Sequence, residues 1–361
     1  MRKINLLDCT LRDGGYVNDW HFGKDAIFNI GKKIVLAGIE YFEIGFVREC
    51  DYDPDYSLFD GNDSVSRMIA PKNPETHYVG MIDMGRPIPL EKLGKHRPDG
   101  FDVFRVIFKK SKIQEAYTYI QELQKLGYEV FAQAVGTDNY TDSEFIELIR
   151  KFNQLPIRAF YIVDSFGLIK KKDFVRLAQI ADHNLREDIM LGYHSHNNMQ
   201  QAMGNASAFT EMHLHRDIIL DACVFGMGRG AGNLNLELFA EYMNENFDKK
   251  YRIEPMLEII DEYLNDTFVE SITQNTFDLH FMILHPEEMG IERTEATWGD
   301  MDADVVFEED TSSQEELDHL HEFNYNSLNY EQQLAYDVVE RTLEENIEQA
   351  KDVWFYEYFS P

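Results

Sequence analysis

Nowhere in its 361 residues does the chain carry an uninterrupted apolar run approaching the roughly 18–20 residues of a membrane-spanning helix. No membrane partner is therefore expected. Cysteine is scarce: Cys9, Cys50 and Cys223 are the only three. An odd, small number set mostly in apolar contexts excludes a disulfide framework and reads as reduced thiols with a packing role. Positive charge is also short, with 34 Lys and Arg against 65 Asp and Glu and a net charge of -31. A nucleic-acid surface is normally basic, so no nucleic-acid partner is expected. The opening "MRKINLLDCTLRDGG" meets charges before an apolar stretch long enough for a secretory signal. The expected location is the cytoplasm.

What is present suits a packed core, with 44% hydrophobic and 13% aromatic residues. The acidity is unevenly placed. From Tyr251 onward there are 29 acidic and 4 basic residues, a net of -25, against 36 and 30 in the first 250, a net of -6. A boundary is expected near 250 to 270, dividing a domain over residues 1–250 from an acidic extension over 251–361.

The first part alternates strand-like runs with helical patterns. The strands expected are 4–10, 41–46, 77–83, 101–108, 129–135, 158–164, 190–196 and 218–226. Segments such as "GKDAIFNIGKKIVLAG" and "KIQEAYTYIQELQKLG" lie between them, carry apolar residues at helical spacing and stop at Gly. Eight such units in about 240 residues predict an α/β fold, the (β/α)8 TIM barrel. An open doubly wound sheet is the alternative. In the second part "EPMLEIIDEYLNDTFVE" is amphipathic and could cap the barrel. The stretch near 295–322 is acidic, poor in core formers and expected to be a loop or disordered. "LNYEQQLAYDVVERTLEENIEQAKDVWFYEYF" has helical periodicity.

Chemistry in such a barrel sits at the C-terminal ends of its strands. Polar residues collect there. The first strand leads into Arg12 and Asp13, the second carries Glu43, the fourth Arg105, the sixth ends at Asp164 and Ser165, and the seventh ends at His194 and His196. On a strand, side chains at i and i+2 share a face. Both imidazoles thus point the same way and can chelate a metal. A hydrogen-bonded histidine pair is the plainer reading of H-x-H alone. Asp13 would complete a set of two histidines and one carboxylate, suited to Mn2+, Mg2+, Co2+ or Zn2+. Arg12 beside it could hold a substrate carboxylate and stabilise an enolate oxygen. The eighth strand runs into "GMGRGAGN", which contains G-x-G-x-x-A but follows the last strand instead of opening a chain-initial βαβ unit. A dinucleotide fold is not expected from it.

"LDCTLRDGGYVNDWHF", "FEIGF", "HSHNN" and "GMGRGAGNLNLEL", in this order, resemble the DRE-TIM metallolyase (HMG-CoA lyase-like) superfamily, in particular aldolase catalytic-domain proteins of the 4-hydroxy-2-oxovalerate aldolase type. The resemblance covers residues 1 to about 245. It implies a divalent metal, Mn2+ first, held by Asp13, His194 and His196, with Asn233 as a nearby or fourth ligand. It implies that Arg12 stabilises an enolate and that Glu43 supports Arg12 and a metal-bound water. Ser165, in an element similar to the family's sixth strand, would touch substrate, and Arg105 is placed with it among substrate-binding candidates. The related aldolases have a proton-transferring His soon after "RDG", where this chain has Gly15 and Tyr16. Tyr16 or His21 are the replacements considered, each against a plain packing role.

The implied reaction is retro-aldol cleavage of a 4-hydroxy-2-oxo acid to pyruvate and an aldehyde. Claisen-type condensation of an acyl-CoA with a 2-oxo acid is one alternative, and a non-catalytic barrel acting as a binding module is another. A homo-oligomer is compatible with either. The family's C-terminal closing region is not recognisable beyond about residue 265. "LNYEQQLAYDVVERTL" instead weakly resembles a segment of Helitron-type helicases. No G-x-x-x-x-G-K-[ST] follows it, so helicase activity is not expected.

Overall fold

A computed structural model describes residues 2–69 and 71–264 and, beyond them, the single positions 317, 320, 321, 336, 340 and 343. Eight parallel strands close on themselves: β1 (Ile4–Asp8), β2 (Tyr41–Val47), β4 (His77–Asp83), β5 (Val103–Phe108), β6 (Glu129–Ala134), β7 (Ala159–Asp164), β8 (Met190–Ser195) and β9 (Ile218–Ala222). β1 closes the ring by pairing with β9 along its whole length and with β2 at Leu7 and Asp8. A two-residue strand, β3 (Leu58–Phe59), adds to the end of β2. This is the expected TIM barrel.

Helices α1 (Lys24–Ala37), α2 (Asn62–Ile69), α3 (Leu90–Leu93), α4 (Ile113–Lys125), α5 (Asp142–Phe152), α6 (Lys171–Asn184), α7 (Ala202–Glu211) and α8 (Leu236–Phe247) connect and follow the strands. Local chemistry sets several of their ends. α1 stops at left-handed Gly38, whose N–H reaches back to the carbonyls of Ile34 and Val35. α5 starts in a Thr141–Glu144 capping box. Outward-facing aromatics of the strands meet the helices, as where Phe108 stacks on Phe152 at 5.1 Å and Tyr193 meets Phe174 at 4.2 Å. Within the barrel, Gly192 leaves room for the Tyr161 ring, which a Cβ at that position would strike at 2.5 Å.

The chain divides into two compact units, Met1–Thr276 and Phe277–Pro361. α9 (Glu254–Ile259) and the π turn Ile260–Leu264 lie in the first unit and pack on α1. Met256, Ile259 and Leu264 are buried there, and Lys33 reaches Glu258 and Glu262 at 2.5 and 3.1 Å. The described part of this amphipathic segment, residues 254–264, lies on the barrel's flank, with α9 against α1. In the second unit Leu317 and Leu343 are buried with Leu320 beside them, and His321 Nε2 lies 2.9 Å from Glu340 Oε1. The rest of the acidic stretch near 295–322, and the segment at 328–343 that resembles a helicase apart from positions 336, 340 and 343, lie outside the described residues. No helix among the described residues is long and apolar enough to cross a membrane.

Candidate active site

After β1 the backbone turns at once. The N–H groups of Arg12 and Asp13 both donate to the Cys9 carbonyl, at 3.1 and 2.8 Å. The turn is pinned from outside by Trp20, whose Nε1 donates to the Arg12 carbonyl at 2.7 Å. Gly15 admits that indole, because a Cβ there would collide with it. Arg12 and Asp13 are thereby delivered, buried, to the C-terminal mouth of the barrel.

Asp13 Oδ2 faces His194 Nε2 at 3.5 Å and His196 Nε2 at 4.0 Å. Asn233 Nδ2 donates to the same oxygen. The Gly-rich loop brings Asn233 there, where it forms an antiparallel bridge with His196. So Asp13, His194, His196 and Asn233 meet, from β1, β8 and the loop after β9.

A closed circuit of buried charges stands behind them. Arg12 Nη1 bonds Asp13 Oδ1 at 2.7 Å and Arg12 Nε bonds Glu43 Oε2 at 2.7 Å. Arg105 Nη1 bonds the same Glu43 oxygen at 2.8 Å, and its Nη2 bonds Asp221 Oδ2. Asp221 Oδ2 lies 2.9 Å from His194 Nδ1, which returns the circuit to Asp13. The Arg105 guanidinium also lies 4.9 Å over the Tyr161 ring, and the Gln133 amide oxygen accepts from its Nε at 3.0 Å.

This circuit fixes protonation. A carboxylate opposite His194 Nδ1 keeps the proton on that nitrogen and leaves the Nε2 lone pair directed at Asp13. Burial raises the Asp13 carboxyl, but Arg12, His196 and His194 outweigh it and hold the group well below the usual carboxylate range. Burial lowers His196 to about 4 against the pull of Asp13, so its imidazole is neutral near pH 7. Two guanidinium groups, Arg12 and Arg105, thus face the carboxyl groups of Asp13, Glu43 and Asp221.

The donor set fits a divalent cation. Among the described residues Asn233 Oδ1, on the amide whose Nδ2 meets Asp13 Oδ2, is buried without a partner, and so is His196 Nδ1. An orphaned buried carbonyl is costly unless something accepts its lone pair. Carboxylate, imidazole and amide donors together suit Mn2+, Mg2+, Co2+ or Zn2+. Cys9 Sγ lies close to the set, within 4.8 Å of the Asp13 and His194 donor atoms. It also sits 3.3 Å from Cys223 Sγ, and burial raises both thiols, so neither is a thiolate near pH 7.

The remaining sequence candidates are placed unevenly. Glu43 sits between the two arginines. Arg105, expected to touch substrate, is instead fully buried one layer below, its donors taken by Glu43, Asp221 and Gln133. Ser165 is half-buried at the end of β7, where its Oγ accepts from Gly136 N at 2.9 Å. Asp164 accepts from Leu168 N and Ile169 N and so caps the loop after β7, while α6 starts after Lys170. Tyr16 lies at the rim, 43% exposed, with its ring edge-on to Trp20. Burial raises its hydroxyl, so it stays protonated. His21 is exposed, against Tyr56 at 4.8 Å, and no contact joins it to the donor cluster.

Asp221 and Gln133 were not among the candidates. For Asp221 a signal was available: it is a lone carboxylate inside the apolar strand "IILDACVFG". A charged residue at such a position is almost never fully buried unless paired.

The HMGL-like family model matches residues 103–260. An oxaloacetate decarboxylase of Mycobacterium tuberculosis is 25% identical over 244 residues, covering 65% of this chain and 68% of that protein. A 4-hydroxy-2-oxovalerate aldolase of Carboxydothermus hydrogenoformans is 25% identical over 244 residues, covering 66% of this chain and 69% of its own. The crystal structure of hydroxymethylglutaryl-CoA lyase from Pseudomonas aeruginosa shares the fold at a TM-score of 0.60 and 13% identity, over 78% of this chain and 97% of that one.

Proposed function

From a barrel that matches the HMGL-like family model over residues 103–260 and whose mouth gathers Asp13, His194, His196 and Asn233, we propose a divalent-metal-dependent carbon–carbon lyase acting on a 2-oxo acid. The reaction is retro-aldol cleavage of a 4-hydroxy-2-oxo acid to pyruvate and an aldehyde. The convergence of His194 Nε2, His196 Nε2 and Asn233 Nδ2 on one carboxylate oxygen, Asp13 Oδ2, carries the reading. A bound Mn2+, or another of the cations named, would supply Lewis acidity to the substrate's 2-oxo and carboxylate oxygens.

Asp13, His194 and His196 are the ligands in this reading, with Asn233 Oδ1 completing the set. Asp221 orients His194 through Nδ1, and Arg105 holds Asp221. Arg12 has Nε and Nη1 committed to Glu43 and Asp13, while Nη2 makes no hydrogen bond among the described residues. That N–H group is available to the oxygen on which negative charge grows as the C3–C4 bond breaks. Glu43 keeps the guanidinium aimed. Ser165, at the end of β7, is the nearer of the two predicted substrate contacts to solvent, and Arg105 acts as a positioning residue. The proton of the 4-hydroxyl must leave as the aldehyde forms. Tyr16 is the rim hydroxyl that can pass it on, in its protonated form, to solvent, and a proton from solvent to C3 turns the enolate into pyruvate.

A second reading draws on the same mouth. Tyr16 is held protonated, and His21 packs on Tyr56 with no contact to the donor cluster among the described residues. Decarboxylation of a 2-oxo acid with a carboxylate on C3 gives the same enolate and needs no base at C4. The similarity to an oxaloacetate decarboxylase supports this alternative.

The test is to strip the protein, reload it with Mn2+ and follow pyruvate from 4-hydroxy-2-oxo acids and from oxaloacetate, beside His194→Ala. Metal-dependent pyruvate from the hydroxy acids, lost with the metal in His194→Ala, is the expected result. Pyruvate from oxaloacetate alone would move the assignment to decarboxylation. Metal binding with pyruvate from neither would overturn both.

A further inference from the structure

Trp20 is held in an unfavourable backbone conformation. Asp19 and Trp20 have φ of +53° and +62°, the left-handed region that side chains other than Gly rarely adopt and bulky ones least of all. Such conformations persist where the surroundings over-determine them, and they gather at functional sites. Here the surroundings do so. Trp20 N donates to Gly15 O at 2.8 Å, Trp20 O accepts from Ser57 N at 2.9 Å, and the indole N–H donates to the Arg12 carbonyl at 2.7 Å.

The result is an aromatic surface beside the Arg12–Asp13 turn. The Trp20 ring lies edge-on to Tyr16 at 4.9 Å and to Phe46 at 5.5 Å, and Tyr16 and Phe46 are 6.2 Å apart. The Arg12 guanidinium stands 5.8 Å over the Phe46 ring, and that of Arg48 stands 5.6 Å over Trp20. Tyr16 is 43% exposed at the rim while Gly14 and Gly15 beneath it are buried. Trp20 pins the Arg12 turn through its indole N–H, and the Tyr16 and Phe46 rings extend its aromatic surface beside the cation. Such rings offer area and a π face to an apolar or planar group.

We infer that Tyr16, Trp20 and Phe46 form the wall that receives the substituent on the aldehyde side of the substrate, and that the enzyme takes 2-oxo acids carrying an apolar, planar group there. This rests on the lyase reading for the orientation of the 2-oxo acid at Arg12. The wall is a specificity determinant; Trp20 and Phe46 take no part in the bond cleavage.

The test separates the wall from the chemistry. Affinities of the Mn2+-loaded full chain are measured by calorimetry for 4-phenyl-2-oxobutanoate and for 2-oxobutanoate, neither of which has a 4-hydroxyl to cleave. The phenyl compound is expected to bind at least about tenfold more tightly. Phe46→Ala should reduce that advantage to about threefold or less, and Phe46→Tyr should restore it. Should Phe46→Ala fail to fold, Tyr16→Ala at the exposed rim gives the same reading. Equal affinities in the native chain, or an advantage unchanged in these variants, would overturn the wall. Pyruvate release without any preference removes the wall and leaves the lyase. Preference without pyruvate release leaves the wall and removes the lyase.

Discussion

Two buried arginine clusters occupy opposite ends of the barrel and are built to different ends. Arg216 precedes β9, at the N-terminal end. Its Nε bonds Asp182 Oδ1 at 2.8 Å, Nη1 bonds the carbonyls of Arg186 and Ile189, and Nη2 bonds those of Asp182 and Leu185. Those carbonyls lie at the end of α6 and in the turn after it, where helix geometry leaves acceptors without donors. Every donor finds an acceptor, and one carboxylate balances one guanidinium. The cluster is a staple. At the mouth, Arg12 and Arg105 meet three carboxylates, and Asn233 Oδ1, His196 Nδ1 and Glu43 Oε1 are left buried without partners. The same guanidinium chemistry there maintains an excess of negative charge and unfilled acceptors. A saturated cluster stabilises the fold, whereas an unsaturated one awaits a ligand.

That contrast can be broken at either end. Arg216→Ala should cost about 3–5 kcal/mol by leaving Asp182 buried and poorly paired, with Mn2+ affinity unchanged. Denaturant unfolding and metal titration of one sample check it, and a variant as stable as the parent would sink the staple assignment. At the mouth end the sign should reverse. Burial raises Asp8, at the end of β1, to about 7 despite its Thr10 hydrogen bonds. Between its ordinary 3.8 and about 7 the folded chain holds a proton that the unfolded chain has released, so this group's contribution to stability falls as pH rises through that window. Asp8→Asn should thus raise stability at pH 8 by up to about 4 kcal/mol, at 1.36 kcal/mol per pKa unit, and flatten the fall between pH 4 and 7. Scanning calorimetry at pH 5 and pH 8 decides this, and an equal difference from the parent at both would contradict it.

Asp221→Asn should lower Mn2+ affinity roughly 10–100-fold, because the imidazole it orients loses its fixed tautomer. Metal titration reads the change, and unaltered affinity would take Asp221 out of the site. The smallest effect belongs to the flank. Lys33→Ala removes pairs with Glu258 and Glu262, both about half exposed, and should change stability by less than about 1 kcal/mol. A larger loss by thermal unfolding would mean that α9 is a more essential part of the barrel than its surface pairs suggest.

Much of this was readable along the chain. Seven of the eight barrel strands fall within two residues of where apolar runs bounded by turn signals put them, and the last ends four residues early, at Ala222. Strand formation in a parallel barrel buries both faces, so the signal is continuous and strong. β3 escaped notice because two residues have no periodicity. Within the site, neighbours in sequence were legible: Arg12 with Asp13, and His194 with His196. Asp221 lay in plain view, yet nothing local said that its strand would pair beside β8 and turn the carboxylate toward His194. Conversely, His21 is only eight residues from Asp13, but the left-handed bend at Asp19 and Trp20 sends it to Tyr56.

The sequence by itself determined the alternation of strand and helix, the barrel, and the residue types at the strand ends, because each follows from periodicity and from spacing over a few residues. Only the tertiary structure decided which carboxylate serves which imidazole, that Arg105 lies beneath the site and not in it, and that three aromatic rings stand beside Arg12. Those relations join strands as far apart in sequence as Arg105 and Asp221. They are set by ring closure and by the demand that buried charges find partners, which no local stretch of chain encodes.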